Sequence, residues 1–332
     1  NSVDLLSIAR GSISLPEIYE IITSAPDNHE QVQSEEWQKR SFCYQLLNEA
    51  EEKVKNLGTQ KERDFELTAR YWLSEFPGLA SKTRSIIVST FTSMADGFLR
   101  GALHEMFCTN TNIVPEMTHE GGIIIIDLPV KEFAEVGQFA QVLFKIIWQQ
   151  ATERRNVQES PRPVFLWEDE AQYFLTSSDA SFQQTARSVR ACTVCLSQNI
   201  PNYRAALGGE SKGSAEADSF LGNLQTKIFH ANGCHITNTW AADLFAKNWQ
   251  FRTSATVSGG VGENMASESP SGNISAGGSQ AMEYQILPVE FTTLRKGGAD
   301  NNFCVDSVIF QSGNRWKSTN SNFIRVTFDQ RG

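Results

Sequence analysis

The sequence predicts an α/β protein in which an all-helical region precedes a mostly parallel sheet with helices on both of its faces. Three observations carry this prediction. Residues from about 12 to 108 place apolar side chains at helical spacing and show little strand signal. From residue 121 onward, short β-branched runs alternate with helical stretches. Near the end, NFCVDSVIFQSGNRW and NFIRVTF alternate like a closing antiparallel pair.

Length and composition are typical of a globular protein. The chain has 332 residues, of which 40% are hydrophobic and 20% charged, so it is long enough for one large or two modest globular domains. No apolar run reaches the roughly 18 residues that a membrane span needs. The net charge of −9 argues against a surface that is basic all over, but it allows a narrow basic groove or channel. Because the first residue is Asn1 rather than Met, we expect a piece of a longer product.

Residues 1–112 are predicted to form a compact all-α domain. Ser14 and Glu17 have the spacing of a capping box at the start of one of its helices. Further amphipathic helices follow, and Gly58 and the pair Pro77-Gly78 are predicted to end two of them.

Residues 113–332 are predicted to form the α/β domain. Its first strand is GGIIIIDLP, a β-branched run that suits a strand buried on both faces. PVFLWEDE, CTVCLSQ and TKIFHAN are the next strands, each preceded by a helix. The Gly- and Ser-rich stretch 253–280 is predicted to be a flexible loop or arm rather than a core element. The helix from Glu132 to Arg154 is predicted to bury one face, formed by Phe133, Val136, Phe139, Leu143, Ile147 and Ala151.

Carboxylates follow two of the predicted strands, where ligands of parallel α/β sheets bind. Asp169 and Glu170 end PVFLWEDE, and Asp127 ends GGIIIID. An apolar strand that delivers Asp and then Glu is typical of the Walker B motif, in which the first acid holds Mg²⁺ and the second activates the attacking water. Asp127 has no partner acid, which favours a turn or cap residue.

Basic and amide side chains after the acidic pair fit the same chemistry. Arg187 and Arg190 lie on or just after the next helix, and the following strand ends at Ser197-Gln198. A glutamine there can contact the γ-phosphate or its water, and an arginine at a subunit edge can stabilise charge in a neighbour's site. The simpler alternatives are a glutamine that bonds a loop backbone and arginines that are solvated.

The cysteines give little support to a metal or thiol enzyme. Cys192 and Cys195 form a CxxC within a predicted strand, and strand residues three apart point to opposite faces. Free thiols are the simpler interpretation, and Cys234-His235 is predicted to be a core and turn pair.

The order of these features resembles the TraG/TraD-type coupling proteins of conjugation and type IV secretion, within the HerA/FtsK group of RecA-like motor ATPases. The resemblance covers nearly the whole chain. Its sharpest parts are the Asp-Glu pair, the Arg-then-Gln spacing and the segment LGNLQTKIF…TWAADLFAK. It implies a RecA-like P-loop NTPase fold, ATP and Mg²⁺ as cofactors, and a homo-hexamer that moves single-stranded DNA at the cytoplasmic face of the inner membrane.

The resemblance also implies roles for single positions. Asp169 and Glu170 correspond to the Walker B acids, Gln198 to the glutamine that senses the γ-phosphate, and Arg187 to the arginine finger, with Arg190 as the alternative. The all-α domain would engage a relaxase, a relaxosome or secreted proteins, and the motor would deliver them to type IV secretion channel components.

One departure from the family is large. No GxxxxGK[ST] occurs in the sequence, and GGESKGS at 208–214 lacks the required ending and the preceding strand, which predicts a surface loop. In the family the phosphate loop and a membrane segment precede the all-α domain, so we expect the chain to start downstream of both and to be inactive alone. Two alternatives remain: another HerA/FtsK-type DNA motor, and a non-catalytic docking module.

Overall fold

The computed structural model describes residues 1–209, 212–259 and 272–331, including all of their side chains except those of 251–277. Contacts divide the chain into two units, one of residues 1–117 with 125–140 and one of 118–124 with 141–332. The protein is of mixed α/β class, because helices are combined with three small sheets within these described ranges.

The first unit is helical, as predicted for residues 12–108. A π-helical turn, Tyr71–Glu75, continues its sixth helix. The predicted boundary at residue 112 falls between its eighth helix and a short 3-10 helix, Pro115–Glu120. The first eight helices are α1 (Ser2–Arg10), α2 (Leu15–Thr23), α3 (His29–Val32), α4 (Glu35–Arg40), α5 (Phe42–Val54), α6 (Thr59–Arg70), α7 (Ser81–Phe98) and α8 (Gly101–Phe107).

Local sequence explains how this unit begins and packs. Ser14 caps α2, because its hydroxyl accepts the Glu17 amide at 3.4 Å, so the predicted N-cap is confirmed. The Glu17 carboxylate accepts the Ser14 hydroxyl at 2.6 Å, which differs from the bond to the Ser14 amide that a capping box makes. Leu5 and Leu6 of α1 and Leu46 of α5 are fully buried in one cluster. Burial of each such side chain stabilises the fold by about 1.5–3 kcal/mol relative to exposure.

The prediction that GGIIIIDLP is a strand buried on both faces is wrong. Residues 122–129 form no ladder with any strand that the structure describes, and Ile123 and Ile125 are 89% and 84% exposed. Only Leu128 is buried, in a cluster with Phe98. β-Branched residues favour an extended backbone but do not make a strand without a partner edge.

Helix α9 (Val130–Arg154) runs close to its predicted limits, with a break at Ala134, whose φ is 49°. Its buried face differs from the predicted one, since Phe139, Leu143 and Ile147 are 40–42% exposed. The side chains that are buried instead are Ala140, Lys145, Trp148, Gln149 and Thr152, together with the correctly predicted Ala151. The difference arises because Trp148 packs against Val164 and because polar partners hold two of these side chains inside.

The second unit contains the strands. They are β1 (Val164–Glu168), β2 (Ala191–Cys195), β3 (Thr226–Phe229), β4 (Lys247–Gly259), β5 (Gly272–Tyr284), β6 (Cys304–Gln311) and β7 (Phe323–Asp329). Its helices after α9 are α10 (Asp179–Thr185), α11 (Ile200–Ala206), α12 (Lys212–Asn223) and α13 (His235–Phe245). Strands and helices therefore alternate from β1 to β3, as predicted.

β1 and β2 form a parallel pair whose register runs from Val164↔Ala191 to Glu168↔Cys195. Helix α10 lies between them in sequence and covers one face of the pair, where Phe182 contacts Val164. The opposite face of β1 is open, and Phe165 and Trp167 are 56% and 68% exposed.

The predicted single parallel sheet is not present among the residues that the structure describes. β3 pairs antiparallel with β6 rather than parallel with β2, and β6 pairs antiparallel with β7. The β6–β7 pair is the closing antiparallel pair that the sequence predicts. A core of aromatic side chains, with Phe245 at its centre, holds this sheet against α13.

The predicted flexible loop at 253–280 overlaps an antiparallel ribbon. β4 and β5 pair in register from Lys247↔Tyr284 to Gly259↔Gly272, so residues 253–259 and 272–280 are strand. Residues 260–271 lie outside the described ranges. A Gly- and Ser-rich composition does not prevent pairing, because the ladder consists of backbone hydrogen bonds.

Within the described ranges, none of the helices combines the length and the apolar character that crossing a lipid bilayer requires.

The exposure of residues 122–129 predicts an unusual tolerance to substitution. We expect the double change Ile123→Thr and Ile125→Thr to alter the free energy of unfolding by less than about 0.5 kcal/mol, because neither side chain is buried. Leu128→Ala should cost about 2–5 kcal/mol, because that side chain is 3% exposed. Urea denaturation measures both, and an equal loss in the two variants would mean that the isoleucines lie in a core.

Candidate active site

The acidic pair lies where the parallel strands end. The Leu196 amide donates to the Glu168 carbonyl at 2.9 Å, and the Ala171 amide donates to the Leu196 carbonyl at 2.8 Å, so the chain after β1 is tied to the chain after β2. Asp169 and Glu170 lie between these two hydrogen-bonded residues, Glu168 and Ala171. Asp169 is exposed, and its Oδ1 accepts the Glu170 amide at 2.9 Å.

Glu170 leaves the strand conformation and points toward β2. Its φ of 48° and ψ of 47° are left-handed, which a residue with a Cβ adopts at an energetic cost. Both carboxylate oxygens are bonded: Gln172 Nε2 donates to Oε2 at 2.6 Å and Gln198 Nε2 donates to Oε1 at 3.0 Å. These hydrogen bonds, first from Gln172 and then from Gln198, lower the pKa of the Glu170 carboxyl below its usual value. The side chain is therefore an anion at neutral pH.

The structure thus brings together Glu170 and Gln198, two residues selected from separate parts of the sequence. Sequence reasoning missed Gln172, which also accepts the Ser197 hydroxyl at 2.6 Å and so bridges the ends of β1 and β2. The only sequence signal for Gln172 was its position just after the acidic pair, in EDEAQ.

The backbone of Gln198 is held from the side of β3. The Gln198 carbonyl accepts Asn232 Nδ2 at 2.7 Å, and the Asn232 carbonyl accepts Asn238 Nδ2 at 2.8 Å. Asn238 belongs to α13 and is buried. The position of Gln198 therefore depends on the start of α13 as well as on β2.

A buried ionic cluster lies directly behind the acidic pair. Lys145 Nζ of α9 contacts Asp179 Oδ2 at 2.7 Å and Glu168 Oε1 at 3.5 Å, and these side chains are between 3% and 7% exposed. Gln149 Nε2 donates to the other Asp179 oxygen at 2.7 Å, and the Thr176 amide donates to Oδ2 at 2.6 Å. The cluster joins α9 and the start of α10 to the last residue of β1.

Asp179 and Glu168 differ in how well they are compensated. Asp179 accepts hydrogen bonds at both oxygens. Among the residues that the structure describes, Glu168 Oε1 has no hydrogen-bond partner besides the 3.5 Å ion-pair contact with Lys145, and Oε2 accepts the Cys195 thiol at 3.4 Å. Burial raises the pKa of the Glu168 carboxyl, and the charge of Lys145 opposes this shift only in part. Sequence reasoning missed this cluster because Lys145 lies between Leu143 and Ile147, which were assigned to the buried face.

Arg187 and Arg190 lie at the opposite end of the strand pair. Both precede β2 and are exposed, whereas the acidic pair follows β1. A strand of the length of β1 spans about 16 Å. Within one chain, these arginines are therefore remote from Glu170.

The remaining candidates lie in other segments of the chain. Asp127 is exposed in the unpaired stretch before α9. In GGESKGS, Gly208 and Gly209 follow α11 rather than a strand, Lys212 opens α12, and residues 210 and 211 lie outside the described ranges. The predicted surface loop is thus partly helix.

The CxxC cysteines face opposite sides of β2, as expected. Cys192 is exposed, whereas the Cys195 thiol donates inward to Glu168. Burial, with the charge of Glu168, raises the pKa of the Cys195 thiol well above its usual value. The two sulfurs therefore do not converge on one ligand.

The residues present fit a magnesium–nucleotide site in part. No group of three or more potential metal ligands occurs in the described part of the chain. Mg²⁺ bound with a nucleotide takes only one or two carboxylates and keeps water and phosphate oxygens as its other ligands. The exposed Asp169 could supply such a carboxylate. Comparison of the chain with protein-family models and with curated proteins finds no match.

Lys145 should be indispensable to the fold behind the site. Lys145→Met keeps the length of the side chain and leaves Asp179 and Glu168 buried without their cation, so we expect a loss of about 3–5 kcal/mol in the free energy of unfolding. Lys39→Met, which removes an exposed pair with Glu35, should cost less than about 1 kcal/mol. Chemical denaturation at pH 7 measures both, and similar losses for the two variants would contradict the buried cluster.

Proposed function

We propose that the chain is the C-terminal portion of an ATP-driven DNA translocase of the coupling-protein type, and that Asp169 and Glu170 are its hydrolytic acids. The observation that carries this proposal is the 3.0 Å hydrogen bond between Glu170 and Gln198 at the carboxyl ends of two parallel strands. A carboxylate that activates water and an amide that responds to a phosphate need this proximity to act on the same group. The RecA-like fold of the whole domain belongs to the same proposal.

Each residue has a distinct role in the proposed reaction. Glu170 would accept a proton from the attacking water, and Asp169 would hold Mg²⁺ directly or through water. Bound Mg-ATP would supply the phosphoryl group and the metal that neutralises its developing charge. Gln198, now bonded to Glu170, would turn to the γ-phosphate and release one carboxylate oxygen for the water.

The position of the arginines supports a site shared between subunits. Arg187, or Arg190 in its place, is too remote from Glu170 to act within one chain, so the guanidinium would reach the nucleotide of a neighbouring subunit. We therefore include a homo-hexamer in the proposal. Its substrates are single-stranded DNA carried by a relaxase or relaxosome, or secreted proteins, delivered to a type IV secretion channel at the inner membrane.

The proposal requires a phosphate-binding loop that this sequence lacks. We therefore expect the purified chain alone to show no ATP hydrolysis above that of its own Asp169→Asn, Glu170→Gln double variant. A phosphate-release assay with and without Mg²⁺ measures this. Turnover that the double variant abolishes would mean that the site is complete without such a loop.

The decisive variant is Glu170→Gln in the longest natural polypeptide that contains this chain. We expect its kcat for ATP to fall by about 10²–10⁴-fold, because the general base is lost, while nucleotide binding persists. Glu52→Gln, at an exposed glutamate of the helical unit, is the matched control and should keep full turnover. Undiminished turnover in Glu170→Gln, or a longest polypeptide without a phosphate loop, would refute the proposal.

A further inference from the structure

Two glutamines hold the carboxylate of Glu170 in place. Gln172 Nε2 donates to Glu170 Oε2 at 2.6 Å, and Gln198 Nε2 donates to Oε1 at 3.0 Å. The two bonds are chemically alike, since each joins an amide donor to a carboxylate. The glutamines differ, however, in what holds their own side chains, and this difference separates a fixed group from a group that can turn.

Gln172 is held at both ends of its side-chain amide. Its Oε1 accepts the Ser197 hydroxyl at 2.6 Å, while its Nε2 donates to Glu170. The reversed orientation would place the amide oxygen against the carboxylate, and two acceptors cannot share a hydrogen bond, so one orientation of the amide is favoured. The side chain is also half-buried, directly after the fully buried Ala171. Neighbouring groups therefore restrict both the position and the orientation of this amide.

The Gln198 side chain has fewer restraints. It is exposed, and its bond to Glu170 is its only side-chain hydrogen bond within the described ranges. Asn232 holds the Gln198 carbonyl at 2.7 Å, which fixes the backbone but not the side-chain torsions. Turning Gln198 away from Glu170 breaks one hydrogen bond, whereas turning Gln172 away breaks two. Gln198 is therefore the amide that can leave, and Gln172 is the one that stays.

Ser197 gives Gln172 an anchor on the other strand. Ser197 directly follows Leu196, whose amide and carbonyl bond to the residues on either side of the acidic pair. The bond between Ser197 and Gln172 adds a side-chain link to this backbone link between the ends of β1 and β2. Because Gln172 also contacts Glu170, the end of β2 helps to set the position of the Glu170 carboxylate.

We propose that Gln172 is a positioning residue for the proposed hydrolysis: anchored by Ser197, it holds the Glu170 carboxylate in the orientation that receives the proton of the attacking water. A glutamate side chain has several rotamers, and a general base is effective only within hydrogen-bond reach of the proton that it takes. When Gln198 turns to the phosphate, Gln172 keeps Oε2 in place and leaves Oε1 to the water. The inference rests on the proposed function of Glu170 and assigns Gln172 no contact with ATP.

The test is the steady-state kinetics of ATP hydrolysis by the longest natural polypeptide that contains this chain. We expect Gln172→Ala to lower kcat by about 10–100-fold and to leave KM within about twofold, because misplacement of the base affects the chemical step more than substrate binding. Ser197→Ala should lower kcat by about tenfold, since Gln172 loses its anchor, and Ser197→Thr, which keeps the hydroxyl, should restore most of this loss.

A double variant separates positioning from independent contributions. Because Ser197 is inferred to act through Gln172, the variant with both Gln172→Ala and Ser197→Ala should be no slower than Gln172→Ala alone. Gln60→Ala, at an exposed glutamine of α6, is the matched control and should keep full turnover. Thermal melting of each variant excludes a loss of folded protein as the cause of a lower kcat.

A second measurement needs no turnover. In NMR spectra of the purified chain with labelled glutamine, the side-chain amide protons of Gln172 should exchange with solvent more slowly than those of Gln198, because Gln172 is held at both ends. Ser197→Ala should remove this difference.

Three outcomes would overturn the inference: a kcat of Gln172→Ala within about twofold of the unchanged polypeptide, a loss in the double variant equal to the product of the two single losses, or equal exchange of the two side-chain amides. The first two apply where Glu170→Gln lowers turnover. If Glu170→Gln keeps full turnover, the hydrolytic role of Glu170 is refuted instead, and the amide exchange still decides whether Gln172 is held as inferred.

Discussion

The parallel ladder between β1 and β2 is the constraint on which the candidate site depends. It brings the chain ends after Glu168 and Cys195 to the same edge, where Glu170 and Gln198 meet. The ladder itself is short. Lys145 stabilises it, because its ammonium group pairs with Glu168 at the end of β1 and with Asp179 at the start of α10. A buried ion pair of this kind adds little net stability compared with an apolar core, but it tolerates few alternative arrangements. The ladder and the buried charge cluster thus position the site, together with the hydrogen bond from Asn232 to the Gln198 carbonyl.

The sequence predicted the features that depend on local pattern. The helices before residue 108, the β1–α10–β2 unit and the closing pair of β6 with β7 all follow from apolar periodicity and turn residues. Asp169, Glu170 and Gln198 were found because polar side chains at strand ends stand out against apolar runs. Their common location needed only the rule that parallel strands end at one edge.

What the sequence could not predict depends on partners that are distant in the chain. The isoleucines of 122–129 have strand propensity but no neighbouring edge, and β3 found its partner in β6 rather than in β2. The buried face of α9 was misassigned because periodicity counts Lys145 as polar, whereas Asp179 compensates its charge inside the protein. Strand propensity can be read from one segment, whereas strand pairing depends on a second segment that is distant in the chain.

At Glu170 the left-handed backbone favours glycine, whereas the proposed function requires a carboxylate. Glycine adopts this conformation without the steric cost of about 1 kcal/mol or more that a residue with a Cβ incurs. Random mutation to glycine would therefore relax the turn after β1 and at the same time delete the carboxylate. A screen of variants for thermostability alone would therefore favour glycine over glutamate at this position.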